Sequence, residues 1–120
     1  MSDQRIVIAD DQESIRDLYG RALSKIPDLS VDFAVDGVEL VSKVEAYPGY
    51  KVVVSDFQMP RMNGLEATRK IREIGYKGPV ILVSSDKFPE EELTRFQVDA
   101  CLQKPIDVAN ITNVIRGYLD

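Results

Sequence analysis

Residues 51–84 read KVVVSDFQMPRMNGLEATRKIREIGYKGPVILVS, and the order of patterns within them decides the fold. Lys51–Ser55 and Pro79–Ser84 are short apolar runs rich in β-branched residues. Neither alternates with polar residues, which is how strands covered on both faces read. Between them, Leu65 to Ile74 has helical period and stops at Gly75. Two such strands joined by a helix-length crossover form a parallel pair with a right-handed connection.

The pattern repeats outward. Arg5–Ala9 is a further non-alternating run. Ser30–Val35 alternates, with Val31, Phe33 and Val35 set against Asp32 and Ala34, and reads as an edge strand. Ala100–Gln103, short and weak, fits the opposite edge. A helical stripe of Ile15, Leu18, Tyr19, Ala22, Leu23 and Ile26 ends before Pro27, and a second, Val38 to Tyr47, ends before Pro48-Gly49. Pro89, followed by three Glu, suits the first turn of a fourth helix. Val108, Ile111, Ile115, Tyr118 and Leu119 mark a fifth. Five strands alternating with five helices predict a single α/β domain over residues 1–120: a doubly wound, flavodoxin-like sheet of order 2-1-3-4-5, helices on both faces.

Composition narrows what such a domain does. The 120 residues carry a net charge of −5, so a phosphate backbone is repelled on average and direct nucleic-acid binding is not expected. Residues 1–60 hold 11 acids and 6 bases, residues 61–120 hold 9 of each, and the whole excess lies in the first half. The one cysteine, Cys101, excludes an internal disulfide. With no histidine, His triads and His metal sites are excluded together. No apolar segment has the length of a signal peptide or membrane span, so a cytoplasmic location is the expectation.

In open α/β sheets ligands bind beyond the carboxyl ends of the strands. The first strand runs into Asp10-Asp11, the third into Asp56, the fourth ends in Ser84 and the fifth runs into Lys104-Pro105. In the predicted order these strands are neighbours, so the residues converge. Any one of them is equally well a cap or turn former, and Asp11 is a natural cap for the first helix. Together they place three mutually repelling carboxylates beside one lysine. A hard divalent cation bound through oxygen offsets that repulsion, and Mg²⁺ is favoured where neither His nor paired Cys attracts zinc.

Asp10-Asp11, Asp56-Phe-Gln-Met-Pro-Arg-Met-Asn-Gly64, Ser84-Ser85 and Lys104-Pro105 resemble the receiver domain of two-component response regulators over essentially the whole chain. The resemblance implies that Asp56 is the phospho-acceptor, taking a phosphoryl group from a phosphohistidine on a sensor histidine kinase or phosphotransfer protein. It implies a Mg²⁺ site of Asp11, Asp56 and the Gln58 backbone carbonyl, with Asp10 acting mainly through water. Lys104 would pair with the phosphoryl group and the Ser84 hydroxyl would hydrogen-bond to it, while backbone N–H groups near Phe57 and Ser85 cradle its oxygens. A cis Lys104-Pro105 bond is likewise implied. So is a downstream protein partner on the face formed by the fourth helix, fifth strand and fifth helix. The protein would be a switch rather than an enzyme, apart from its own phosphorylation and slow dephosphorylation.

Two positions depart from the family's commonest pattern. Ser84 stands where Thr is usual, which keeps the hydroxyl. Cys101 stands where an aromatic usually reports the hydroxyl's movement, and a small buried hydrophobe cannot fill that space. Two other functions fit the same fold. A phosphorylation-independent interaction module would not need Asp10, Asp11, Asp56, Ser84 and Lys104 intact. An aspartyl-phosphate phosphatase or mutase needs an acid two places after its nucleophile, where Gln58 stands. Met1, lying almost directly before the first strand, is expected to be a natural N-terminus. With nothing after Asp120 to read as an output domain, the expectation is either a stand-alone regulator working by protein contact or a domain cut from a hybrid kinase or a transcription factor.

Overall fold

The computed structural model describes residues 4–120, and the N-terminal residues 1–3, read above for a leader, lie outside it. The elements alternate as β1 (Gln4–Ala9), α1 (Glu13–Leu23), β2 (Leu29–Ala34), α2 (Gly37–Ala46), β3 (Val53–Asp56), α3 (Gly64–Glu73), β4 (Val80–Ser84), α4 (Glu90–Arg95), β5 (Ala100–Gln103) and α5 (Val108–Gly117). All strand pairs are parallel and the order is β2-β1-β3-β4-β5. The chain is therefore the doubly wound α/β sheet that its sequence predicts. None of the described helices is long and apolar enough to cross a membrane.

Burial explains the non-alternating runs. Along β1, Ile6 and Ile8 join a core with Tyr19 and Leu23 of α1 and Ile111 and Ile115 of α5. Val7 and Ala9, one residue out of phase, join a second core with Leu40 and Val44 of α2 and Ala67 and Ile71 of α3. Both faces of the strand are dry, so both parities are apolar. β2 has its two faces on the same two clusters: Val31 and Phe33 pack on the first and Ala34 on the second. This corrects the expected alternation, because Ala34 is fully buried while Val35 is past the strand end and 41% exposed.

Helix boundaries follow local chemistry. α1 ends at Leu23, three residues before Ile26, which packs against the core from outside the helix. α2 begins behind Asp36, whose carboxylate accepts the Glu39 N–H at 2.8 Å. α3 carries a full capping box: the Asn63 side chain accepts from Glu66 N–H and the Glu66 carboxylate accepts from Asn63 N–H. α5 ends at Gly117, leaving Tyr118 and Leu119 beyond it. α4 is one and a half turns, buries no residue fully and joins neither core cluster. Pro89 precedes it as the N-cap rather than lying in its first turn.

Candidate functional site

β1 and β3 are hydrogen-bonded neighbours, so the acids that follow β1 and end β3 meet at one rim of the sheet. Asp10, Asp11 and Asp56 each present a carboxylate oxygen within 4.8 Å of the other two. Asp10 and Asp56 are buried and Asp11 is exposed. Asp10 is fixed from three sides. Its Oδ1 accepts the Gln12 N–H at 2.9 Å, its own N–H donates to the Ala34 carbonyl, and its carbonyl accepts Arg16 Nη1 at 2.8 Å. Asp11 does not cap α1, as was expected of it; the N-cap residue is Gln12, which makes no side-chain cap bond. Its carboxylate is left facing the other two.

Lys104, just past β5, brings its Nζ to 2.7 Å from Asp56 Oδ1. The approach is a charge contact outside hydrogen-bonding angles, so that buried oxygen has no aligned donor. The Lys104-Pro105 peptide is cis, as the resemblance implied. Ser84 ends β4 with its Oγ buried and accepting the Asp86 N–H at 2.9 Å. Gln58, Met59 and Pro60 follow Asp56 and line a cleft of about 350 Å³ shared with Asp11, Gln12, Asp56 and Lys104. All residues singled out at the strand ends therefore lie at the same rim.

Burial is the largest influence on two of the carboxyls. It raises Asp10 above the ordinary carboxylate range, and the charges of Asp56 and Asp11 add to it, against the Gln12 N–H and Lys104. It raises Asp56 likewise, with Lys104 opposing and Asp11 reinforcing. Three crowded acids, an all-oxygen donor set and an unaligned buried carboxylate oxygen fit a hard divalent cation such as Mg²⁺. Asp10, Asp11 and Asp56 are the groups whose ligand atoms converge to hold it. Burial also raises the Cys101 thiol, which suits an inert packing residue rather than a nucleophile.

Gly64, which ends the motif quoted from the sequence, shapes the rim together with residues that were not singled out there. At Gly64 a Cβ would collide with the Asp56 carbonyl oxygen, so only glycine lets α3 start directly against the end of β3. Gly37, which carried no signal, is pressed as closely on the Met62 carbonyl. Asp36 pairs with Arg61 at 2.7 Å across 25 residues. The Phe57 ring meets the Phe88 ring edge-on at 4.8 Å, linking the loop after Asp56 to the loop after Ser84. Asp36-Gly37 could have been found as a helix-start pair; the contacts themselves appear only with the fold.

Comparison with known proteins places this arrangement. A sequence profile described as "Response regulator receiver domain" matches residues 6–116. Protein-glutamate methylesterase/protein-glutamine glutaminase of Treponema denticola is 33% identical over 121 residues, covering 95% of this chain and 32% of that protein. Response regulator MprA of Mycobacterium sp. strain KMS is 31% identical over 117 residues, covering 96% and 50%. The chain thus spans about a third of the first relative's length and half of the second's. Among solved structures, a CheY-like response regulator receiver domain protein from Methanospirillum hungatei matches with a TM-score of 0.88 at 25% identity, covering 99% of this chain and 95% of that one.

Proposed function

The chain belongs to the response regulator receiver family, and from that premise we propose that residues 1–120 form a single receiver domain acting as a phosphorylation-dependent switch. The observation that carries the reading is the cluster of Asp10, Asp11 and Asp56 with Lys104 at the rim of β1, β3 and β5.

An Asp56 carboxylate oxygen attacks the phosphorus of a phosphohistidine on a sensor kinase or phosphotransfer protein. The P–N bond breaks with its electron pair left on the imidazole, and the product is an acyl phosphate on Asp56. The absence of histidine from this chain fits a donor imidazole supplied by the partner. Asp11, Asp56 and the Gln58 carbonyl would hold Mg²⁺, with Asp10 acting mainly through water, and the cation would supply neutralisation of the phosphoryl oxygens. Lys104, already beside Asp56, follows the new charge from carboxylate to phosphoryl. Ser84 Oγ accepts from Asp86, so its own O–H is free to donate to a phosphoryl oxygen. The Phe57 N–H, expected to help cradle those oxygens, already donates to the Val83 carbonyl at 2.9 Å and would have to leave it to do so.

A charge-assisted hydrogen bond from Ser84 draws the end of β4 toward Asp56 and shifts the segment that follows. α4 is the element best placed to respond, since neither core holds it. The face of α4, β5 and α5 is the surface that would exchange partners.

Beryllofluoride with Mg²⁺, a mimic of the acyl phosphate, tests the reading without a partner. Amide resonances of Phe57, Ser84, Ser85 and Lys104 should shift on its addition to the wild type, and Asp56→Asn should show no such shift. An unresponsive wild type would point instead to a fold used for phosphorylation-independent contacts.

A further inference from the structure

The loop from Phe57 to Asn63 carries the Gln58 carbonyl and three exposed residues, Gln58, Pro60 and Arg61. Its two ends are fixed by β3 and by the capping box of α3. Its middle is not part of either element, yet it contains a conformation that needs holding. Arg61 has a φ of 68°, in the left-handed region where side chains other than glycine are disfavoured. Its Nε donates to Asp36 Oδ2 at 2.7 Å. Asp36 is 5% exposed, and its other oxygen accepts the Glu39 N–H that starts α2. Both carboxylate oxygens are thus engaged, and the Arg61 guanidinium holds this carboxyl below the usual range. Next to it, Gly37 is pressed on the Met62 carbonyl, and Met59 and Met62 pack on the α2–α3 core.

The tether joins the segment after β2 to the loop after β3, whose first residues line the acidic cleft. Asp36 lies two residues past β2, and β2 is bonded to β1, where Asp10 N–H donates to the Ala34 carbonyl. Arg61 directly follows the cleft-lining residues Gln58, Met59 and Pro60. We infer that Asp36 and Arg61 are positioning residues for Mg²⁺: their hydrogen bond holds the Asp56 loop so that the Gln58 carbonyl faces the carboxylates. This rests on the reading of the cleft as a Mg²⁺ site. It assigns the pair a job that neither a helix cap nor a surface ion pair requires.

The sign of the effect separates the tether from simple charge. Arg61 is a cation on a loop beside three acids, so removing its charge favours Mg²⁺ binding through electrostatics alone. Removing its hydrogen bond loosens a ligand and disfavours binding. Arg61→Gln and Arg61→Met distinguish the two, because both are neutral and of similar reach. The Gln amide nitrogen occupies the chain position of Arg Nε and keeps a donor there, whereas Met puts a methyl group in its place.

Mg²⁺ alone is titrated into the full chain at fixed ionic strength, followed by calorimetry, with amide exchange of the metal-free protein measured in parallel. Arg61→Met should weaken Mg²⁺ binding about tenfold, as loss of a partner behind a metal ligand does, and speed exchange across Met59–Met62. Arg61→Gln should stay near wild type in both. Tighter or unchanged binding in Arg61→Met, with or without a lower melting temperature, would overturn the inference and leave the Mg²⁺ reading standing. A wild type that binds no Mg²⁺ would overturn that reading and the tether with it.

Discussion

Asp56 is buried beside two other acids and one lysine, and burial outweighs the lysine in raising its carboxyl. Asp10 is raised for the same leading cause, with the charge of Asp56 adding to it. An acid whose folded value is raised binds its proton more tightly in the native state. Between the unfolded value and the raised one the native state therefore holds more protons, and stability falls as pH rises through that window. Without metal, the melting temperature should decline as pH climbs above the ordinary carboxylate range, and saturating Mg²⁺ should remove the decline. A cation at a hundred times its Kd adds about 2.7 kcal/mol by linkage alone. Asp11 adds repulsion to both buried acids, so Asp11→Ala should stabilise the metal-free protein by about 1 kcal/mol, or ~4 °C for a domain of this size, while abolishing the Mg²⁺ response. Scanning calorimetry across pH, with and without Mg²⁺, checks both; a flat metal-free profile would contradict the assignment of the pair. The acids themselves were legible in the sequence, since carboxylates directly after apolar strands are noticed one by one. Arg61 and Asp36 were not, because a solvated arginine and a helix-capping aspartate each look complete alone.

Among the elements, β1, β3 and β4 were the most legible, because strands dry on both faces leave an unbroken apolar run. β2 was read one residue too far, since Val35 continues the alternation in sequence while the backbone has already turned out of the sheet. α1 was read too long for a similar reason: Ile26 keeps helical phase but reaches the core from a turn. α4 shows few anchors: a ring contact just before it joins Phe88 to Phe57, and β5 offers no ring, since Cys101 stands there in register with Leu82. With no aromatic at position 101, the response to a phosphoryl group should concentrate in residues 85–89 and the first turn of α4. Hydrogen exchange with and without beryllofluoride should show protection changes there in wild type and in Cys101→Ala alike. Ser84→Ala should weaken them, since the donated bond, worth roughly 1.5–3 kcal/mol, is gone. Loss of the response in Cys101→Ala but not in Ser84→Ala would reverse the roles assigned to β4 and β5. The cap of α3 is testable separately: Asn63→Ala should cost about 1 kcal/mol by thermal melting.

At the scale of the whole molecule, topology does most of the work. The order β2-β1-β3-β4-β5 puts the ends of four adjacent strands at one rim, and acids distant in sequence become neighbours there without any local signal between them. Part of the excess of acid in the first 60 residues meets at that rim, in Asp10, Asp11 and Asp56. The fold was legible because strand and helix periods alternate without interruption. The side-to-side ties between loops were not, because period says nothing about contacts between residues that follow different strands. What unites fold and site is one chemical claim, that Asp56 accepts a phosphoryl group. Intact mass measured after incubation with acetyl phosphate and Mg²⁺ tests it most directly. Wild type should gain the mass of one phosphoryl group, and Asp56→Asn, equally folded by circular dichroism, should gain none; an unmodified wild type, or a mutant that still gains the mass, would contradict the claim.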